Sequence, residues 1–553
     1  MTALRTLPKR LLVGVPLRNE HMGETLLPKR IALPVFCSDP LSSNAYATEE
    51  ILLMLSVGGF ALLHLTPVVA AAVVLLLVVV VASYRQTCHA YPNGGGAYAV
   101  SRANLGQGAA LVAASALLVD YVLTVAVSVA AGVANVVSAF PRLAPYAVAL
   151  SLALIGLLAV MNLRGIKESG TVFAIPTYGF VLCIFVMIGV GLAATVAGHP
   201  PVAESAALAV RQPEALAPLV VVAIVLRAFA SGCTALTGVE AVSNGVPSFR
   251  RPKSANAAST LAIMGTLTIG LFVGITALAM IADVHVAHAV EDLVGAPEGY
   301  QQRTVVAQLS AAVFGAGSVG FYLVQAFTAA ILVLAANTAF NGFPILASIL
   351  GTDGFLPRQL SRRGDRLVFS NGIVILALLA GALVVAFDAS TSRLIQLYIL
   401  GVFVSFTLSQ AGMVRHWTRA IRLSVTASAR RTMVRARVLN GVGAAVTALV
   451  LVIVLTTKFT VLDSPYRDIT RPALEYVAGI ERDSPRDVVV VFVPEYVVTR
   501  WWQHALHNQS ALRLKTRLLF QPGVMVTSVP YVLGPSSEVE ELAALRDPLP
   551  VPR

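Results

Sequence analysis

The sequence predicts an all-α polytopic membrane protein that ends in a small α+β domain. Ala, Val, Ile, Leu, Met, Phe, Trp, Tyr and Cys make up 57% of its 553 residues, and charged residues make up only 12%, about half their share in a soluble domain. A soluble fold of this size cannot hide so much apolar surface from water, and a disordered chain has the opposite composition. Apolar runs long enough to cross a hydrocarbon layer of about 30 Å also recur as far as residue 460.

Residues 1–30 are polar and basic and predict a cytoplasmic amino-terminal arm without a cleavable signal peptide. Eleven apolar runs follow, and together with their linkers they define a transmembrane domain over residues 31–460. The predicted spans are 31–58, 65–84, 107–133, 145–163, 170–197, 217–243, 257–282, 314–348, 371–387, 392–414 and 437–457.

The formal net charge of +12 would suggest nucleic-acid binding in a soluble protein. Here the basic residues fall in alternate loops, on the side of the basic amino-terminal arm, whereas the opposite loop 283–308 is acidic. We therefore interpret the positive charge as a topology signal rather than a nucleic-acid surface. It predicts a multi-pass protein of the cell membrane with a cytoplasmic amino terminus.

From residue 461 the charges become dense and mixed, which predicts a separate α+β domain over residues 461–535 and a flexible tail over 536–553. Within it, Val488–Val493 and Val524–Val529 are predicted strands and Val497–Leu519 a predicted helix. Eleven crossings would place this domain on the side opposite the amino terminus, so its side is left open.

Two of the predicted spans are interrupted by polar residues. Pro40, in the segment 38–46, has no N–H to donate, so carbonyl groups near residues 36–39 are expected to lose their helical partners. The sixth span repeats the interruption over residues 231–240. Broken helices at the start of two successive five-helix blocks are typical of the LeuT-like 5+5 inverted-repeat transporters, in which the breaks form the binding site. Direct sequence similarity between the two blocks is not visible, so this prediction depends on hydropathy and on the breaks.

Three carboxylates, Asp39, Asp120 and Glu240, lie inside apolar runs. Each charge there costs about 2.5–3.5 kcal/mol even on the lenient insertion scale, which favours a functional role. The structural alternative is a carboxylate that stays protonated or pairs with Arg227.

Hydroxyl groups share helical faces with these acids. Thr124 and Ser128 follow Asp120 at intervals of four residues, Tyr46 follows Asp39 by seven, Thr237 precedes Glu240 by three, and Tyr398 shares a face of the tenth span with Ser405. The alternative is that each Ser or Thr bonds its own i−4 carbonyl and that Tyr398 only packs.

An oxygen-only cage of this kind suits a hard cation such as an alkali ion. An amino-acid substrate would instead need free N–H groups for its carboxylate, whereas Asp39 repels that carboxylate and Pro40 has no N–H. No nucleophile–base pair, metal cluster or nucleotide loop in a suitable context stands out, so the sequence predicts neither an enzyme nor a bound cofactor.

At these residues the chain resembles the amino acid–polyamine–organocation (APC) superfamily, and most closely its potassium-uptake branch of Kup/KimA-type potassium–proton symporters. The segments that carry the resemblance are LPVFCSDPLSSNAYATEEILL (Leu33–Leu53), YPNGGGAY (Tyr91–Tyr98), NLRGIKESG (Asn162–Gly170), TALTGVEAVSNGVPSF (Thr234–Phe249) and VLDSPYRDITRPALEYV (Val461–Val477).

The resemblance implies that potassium is coordinated by the residues at Asp39, Tyr46, Thr124, Ser128, Thr237 and Tyr398, with Asp120 and Glu240 serving proton coupling or a second ion position. It also implies a homodimer organised partly by the carboxy-terminal domains, and in some relatives inhibition by a cyclic dinucleotide. Family members have twelve spans and a cytoplasmic carboxy terminus, whereas this sequence lacks a final apolar helix after Thr457.

The sequence therefore predicts a secondary active transporter that imports potassium ions together with protons. Two alternatives stay open. One is a proton-coupled amino-acid or amine permease of the same fold, and the other is a degenerate transporter that acts as a sensor.

Overall fold

The computed structural model describes residues 26–459, except 95, 165–169, 211–217, 298, 363–368 and 425, together with 489–492 and 531–534. The chain divides into two units, Met1–Thr457 and Lys458–Arg553. Most of the predicted amino-terminal arm, the predicted helix Val497–Leu519, the predicted strand Val524–Val529 and the predicted tail lie outside the described residues.

The described part of the first unit is built from α-helices. They are α1 Lys29–Ser42, α2 Asn44–Ser56, α3 Phe60–Leu63, α4 Thr66–Ala90, α5 Ala97–Asn104, α6 Gln107–Ala139, α7 Ala147–Leu163, α8 Gly170–Val196, α9 Pro218–Gly232, α10 Val239–Asn244, α11 Lys253–Ile281, α12 Val305–Phe314, α13 Val319–Thr352, α14 Ser370–Ala386, α15 Thr391–Leu423 and α16 Ala427–Phe459.

Within the described ranges, nine helical stretches are long and apolar enough to cross a membrane, counting α9 and α10 as one stretch. The first predicted span is divided between α1 and α2, and the ninth is the shorter α14. Every predicted apolar run therefore corresponds to a helix or a broken pair of helices, and the prediction of an all-α, multi-pass membrane protein is confirmed.

Several predicted boundaries were wrong. The run predicted over 314–348 starts too early, because α12 ends at Phe314, Gly315 follows it with φ 88°, and α13 begins only at Val319. The tenth and eleventh spans are also longer than their apolar runs, since α15 continues to Leu423 and α16 begins at Ala427. Apolar length marks the part of a helix that contacts lipid, and a helix can continue past it into water.

Helix α6 lies at the centre of the bundle, where its most extensive contacts are with α13 and α15. Its second half is buried almost continuously from Val122 to Val133. The two halves of the first span pack against different neighbours, α1 against α13 and α8, and α2 against α9. The interruption between α1 and α2 thus sits inside the bundle, which is where irregular backbone is tolerated in a membrane protein.

Two small antiparallel sheets complete the described structure. In the first unit, β1 (Ala209–Val210) pairs with β2 (Leu293–Val294). In the second unit, β3 (Val489–Phe492) pairs with β4 (Tyr531–Gly534), with Val489 opposite Gly534. The predicted strand at Val488–Val493 is confirmed by β3. The strand β4 begins two residues after the segment Val524–Val529 that was predicted as the second strand.

Candidate functional site

The first helix break lies at Ser43, three residues after the predicted position. Helix α1 runs through Pro40 and ends at Ser42, and α2 begins at Asn44. The expectation that the Asp39 carbonyl loses its partners is wrong, because three donors reach its oxygen: the Ser43 N–H at 3.1 Å, the Ser42 hydroxyl at 2.9 Å and the Ser43 hydroxyl at 3.0 Å. The backbone after Pro40 thus stays helical as far as Ser42, and the two serine hydroxyls are additional donors to the Asp39 carbonyl.

The second break falls within the predicted segment. Helix α9 ends at Gly232, a 3-10 turn covers Cys233–Leu236, and Gly238 takes the left-handed conformation with φ 74° before α10 begins at Val239. Glycine adopts this conformation without steric cost, so it can end one half-helix and start the next within two residues.

The two breaks are in direct contact. The hydroxyl oxygens of Ser43 and Thr237 are 2.5 Å apart, and the Tyr46 hydroxyl is 3.1 Å from that of Ser43. A Cβ atom at Gly238 would lie only 2.5 Å from Oδ2 of Asp39. The structure therefore brings together Asp39, Tyr46 and Thr237, which the sequence had predicted from separate spans.

Helices α6 and α15 supply a second group of oxygens. Thr124 Oγ1 is 3.0 Å from the Tyr398 hydroxyl and 2.9 Å from the Asp120 carbonyl oxygen, the i−4 contact that threonine commonly makes in a membrane helix. Asp39, Asp120 and Tyr46 all lie within electrostatic range of Tyr398. Ser128 is buried on α6 one turn beyond Thr124. The two groups of oxygens thus belong to one polar cluster.

Asp39 and Asp120 each leave a carboxylate oxygen without a partner. In the described structure, Oδ1 of each is buried and accepts no hydrogen bond, and Asp39 as a whole is only 7% exposed. A buried charge without a partner costs several kcal/mol. The arrangement is therefore suited to a positively charged ligand, either a cation or a proton.

Glu240 is held differently. Its Oε1 accepts a hydrogen bond from the backbone N–H of Ala97 at 2.5 Å, and its Oε2 accepts one from the Ser405 hydroxyl at 2.7 Å. Ser405, predicted to help close the ion site beside Tyr398, instead holds this carboxylate. Glu240 lies within electrostatic range of Asp120, but its oxygens join the broken helix to the start of α5 and to α15.

Sequence reasoning missed Ser43, whose hydroxyl contacts Asp39, Tyr46 and Thr237. A signal was present, because Ser43 is one turn after Asp39 and one turn before Tyr46, in the polar segment that follows Pro40. Five other serines and threonines lie in the two interrupted segments, so the sequence did not single out Ser43.

A cavity of about 240 Å³ adjoins the Tyr46 end of the cluster, and its lining includes Glu49 and Glu50 of α2 together with Ala287, His288, Gln302 and Thr304. Glu49 accepts a hydrogen bond from the Val305 N–H at 3.0 Å. These two acids were not predicted from the sequence, although they follow Tyr46 by three and four residues and so share its helical face.

Two helix breaks that meet among buried carboxylates and hydroxyls, inside a bundle of membrane-spanning helices, define the class of secondary transport proteins. Residues 33–470 match the amino acid permease family, and residues 453–531 match the KimA potassium transporter C-terminal domain. The chain is 34% identical to the potassium transporter KimA of Bacillus subtilis (strain 168), over 95% of this chain and 98% of that protein. The chain therefore belongs to the amino acid permease family and, within it, to the KimA group.

Among solved structures, the chain is similar to a Na⁺-coupled sialic acid symporter in its substrate-bound, outward-open state. The match has a TM-score of 0.43 and 12% sequence identity, and it covers 83% of this chain and 96% of the symporter chain.

Proposed function

We propose that this protein is a secondary active transporter that imports potassium ions into the cell, coupled to protons. The observation that carries the proposal is the pair of buried, partnerless oxygens on Asp39 and Asp120 beside a set of hydroxyl groups. The name of the Bacillus subtilis relative supports potassium as the cation.

In this proposal the cation exchanges its hydration shell for protein oxygens. The ligands are drawn from Asp39, Tyr46, Thr124, Ser128, Thr237 and Tyr398, and Ser43 joins them because its hydroxyl touches two of these side chains. None of these groups can bring a positive charge, so the cluster attracts cations and repels anions. This disfavours the alternative of an amino-acid substrate, whose carboxylate would approach Asp39.

Proton coupling follows from the closeness of two acids. Asp39 and Asp120 act on each other electrostatically, and two carboxylates in a low-dielectric site cannot both stay charged without a counter-charge. A potassium ion and a proton can each supply that charge. Binding of the cation near Asp39 therefore changes the proton affinity of Asp120. Alternating access would then expose the occupied site first to one side of the membrane and then to the other.

The amino terminus is proposed to be cytoplasmic, since the basic loops lie on its side of the membrane. The resemblance to the KimA group further supports a homodimer, and regulation by a cyclic dinucleotide if the carboxy-terminal domain lies in the cytoplasm.

The test is potassium or rubidium uptake by the full chain in vesicles, with and without a proton gradient. Asp39→Asn is expected to abolish uptake, because an amide supplies no negative charge to offset the cost of dehydrating the ion. Asp388→Asn is the matched control, since Asp388 lies outside the cluster with φ 53°, a conformation that asparagine tolerates.

Near-normal uptake by Asp39→Asn would overturn the site. Equal uptake with and without a proton gradient would contradict the proposed coupling to protons. Thermal stabilisation by amino acids but not by potassium or rubidium would favour the permease alternative, and specific binding without any flux would favour a sensor.

A further inference from the structure

A hairpin of two long helices, here called the arginine hairpin, carries a concentrated positive charge. It comprises the end of α15 and the start of α16, over residues 415–437. Six arginines on it are exposed: Arg415, Arg419, Arg422, Arg430, Arg431 and Arg435. The sequence holds no Asp or Glu between Thr391 and Phe459. In the described part of the chain, none of the six arginines forms an ion pair.

The positions of these arginines along the membrane normal follow from where the apolar parts of α15 and α16 end. Arg415 ends the apolar part of α15, and Arg437 precedes the apolar part of α16. The indole N–H of Trp417 donates to the Asn440 side-chain oxygen at 2.9 Å, which fixes the register of the two helices at this boundary. Tryptophan is also enriched at the membrane–water interface.

The arginines extend outward from this boundary over a short distance. Arg422 and Arg430 are each seven residues beyond it, which corresponds to about 10 Å along a helix. The headgroup layer is about 5–7 Å thick on each side of the hydrocarbon, and an arginine side chain can bend back toward it. All six guanidinium groups therefore reach the lipid headgroups.

We propose that the arginine hairpin binds the phosphate groups of anionic phospholipids in the cytoplasmic leaflet. Guanidinium groups recognise phosphate oxygens with paired hydrogen bonds, and clusters of four to eight basic residues directly beside a membrane helix bind anionic lipids. The topology signal alone explains a few charges in a loop. It does not explain two helices that continue past the apolar segment and hold the charges within about 10 Å of the boundary.

The experiment uses Trp417 of the full chain as the reporter. The sequence holds three tryptophans, so Trp501→Phe with Trp502→Phe leaves Trp417 alone. Quenching of its fluorescence by brominated phosphatidylglycerol is compared with quenching by brominated phosphatidylcholine in reconstituted vesicles. We expect phosphatidylglycerol to bind at least about fivefold more tightly at low salt, the effect of roughly one arginine near an anionic surface.

Arg431→Gln with Arg435→Gln removes two charges from one face of α16 and is expected to bring this preference close to one. Arg431→Lys with Arg435→Lys is expected to keep most of it. The matched control, Arg358→Gln with Arg362→Gln, removes two exposed charges from another loop on the same side and is expected to leave the preference unchanged.

Equal quenching by the two lipids overturns the proposal, and so does a preference that falls equally in the control pair. Loss of the preference in sodium phosphate, but not in sodium chloride of the same ionic strength, would identify a soluble phosphate rather than a lipid and would also overturn it. If the glutamine variant does not fold, the proposal is tested with the lysine variant and with a salt titration of the parent chain. The preference for phosphatidylglycerol is then expected to fall steadily as the salt concentration rises.

Discussion

Ser43 shows how one small side chain can connect the two helix breaks that form the site. Its hydroxyl lies between the Asp39 carbonyl, the Tyr46 hydroxyl and Thr237, and the residue itself forms the break between α1 and α2. The neighbouring Ser42 hydroxyl contacts only the Asp39 carbonyl. A comparison of the two serines therefore distinguishes a contribution to the ion site, made by Ser43, from a contribution to the helix backbone, made by Ser42.

Ser43→Ala is expected to raise the KM for potassium about tenfold, because a buried hydrogen-bonding group is lost and its partners are left incompletely paired. Ser42→Ala is the control and is expected to change the KM by less than about twofold. Uptake kinetics in vesicles measure both variants. Equal effects of the two changes would assign Ser43 to the backbone rather than to the ion site.

Gly238 is required for two separate reasons, a left-handed backbone and close contact with Asp39. Gly238→Ala is expected to abolish uptake, because the new Cβ would lie 2.5 Å from an Asp39 oxygen. Gly106 also has a positive φ, 103°, but a Cβ there would meet nothing within 4 Å. Gly106→Ala therefore isolates the backbone strain and is expected to lower the Tm by a few degrees while uptake persists. Loss of uptake in both variants would argue against the contact with Asp39.

At this scale the sequence predicted the chemistry of the site better than its connections. Acids and hydroxyls inside apolar runs are visible as exceptions, so Asp39, Tyr46, Thr124 and Thr237 could be selected. The contact between Ser43 and Thr237 joins residues 194 positions apart, and no local pattern contains it. The same reason explains why Glu240 was grouped with the other acids although its oxygens bond Ala97 and Ser405.

At the scale of elements, the short helix α5 connects the broken sixth span to the rest of the bundle. Its first N–H binds Glu240, and its later residues bind the end of α13, since the Tyr98 hydroxyl donates to Asp353 at 2.6 Å and Arg102 pairs with the same carboxylate. Gly96 makes this possible, because a Cβ there would collide with the Asn244 side chain of α10. Movement of α10 away from α5 must therefore break the hydrogen bond between Glu240 and Ala97, and movement away from α15 must break the one between Glu240 and Ser405.

Glu240→Ala is expected to favour opening of the helix bundle on the side of α1, because the hydrogen bonds with the Ala97 N–H and the Ser405 hydroxyl cannot form. Glu240→Gln should have a smaller effect, since an amide can still contact both partners but lacks the charge that strengthens them. Cys37, which is buried on α1, is the reporter in a chain whose other three cysteines are alanine. We expect a membrane-impermeant thiol reagent, applied from the cytoplasmic side, to label Cys37 several-fold faster in Glu240→Ala. An unchanged rate would exclude this contact as a closing element.

The elements themselves were largely predictable, because a membrane helix must contain about twenty apolar residues and the lipid enforces that length. Short helices outside the hydrocarbon, such as α5 and α12, follow no such rule and were missed. The first break was placed at Pro40 because proline lacks an N–H, but the helix continues through Pro40 to Ser42. The Ser43 N–H and the hydroxyls of Ser42 and Ser43 all donate to the Asp39 carbonyl. One missing N–H thus did not end the helix, and the break lies about one turn later.

At the scale of the whole molecule, the number of crossings decides where the carboxy-terminal unit can act. Eleven runs were predicted, and each corresponds to a described helix or helix pair. Eleven is odd, so with the amino terminus proposed to be cytoplasmic, eleven crossings alone predict that residues after Phe459 lie on the opposite side of the membrane. The next twenty residues include Asp463, Arg467, Asp468 and Arg471. Charges of this kind each cost about 2.5–3.5 kcal/mol at the centre of a membrane helix, so this segment is a poor candidate for a twelfth crossing.

We therefore expect tags at the two ends of the chain to be reached from opposite sides of the membrane. A protease added to right-side-out vesicles should remove a carboxy-terminal tag and spare an amino-terminal one, and inside-out vesicles should give the reverse. The result also tests the proposed regulation by a cyclic dinucleotide, because a cytoplasmic cyclic dinucleotide cannot reach a domain outside the cell. Removal of both tags from the same side would require another crossing after Phe459, and it would restore that domain to the compartment in which such a regulator acts.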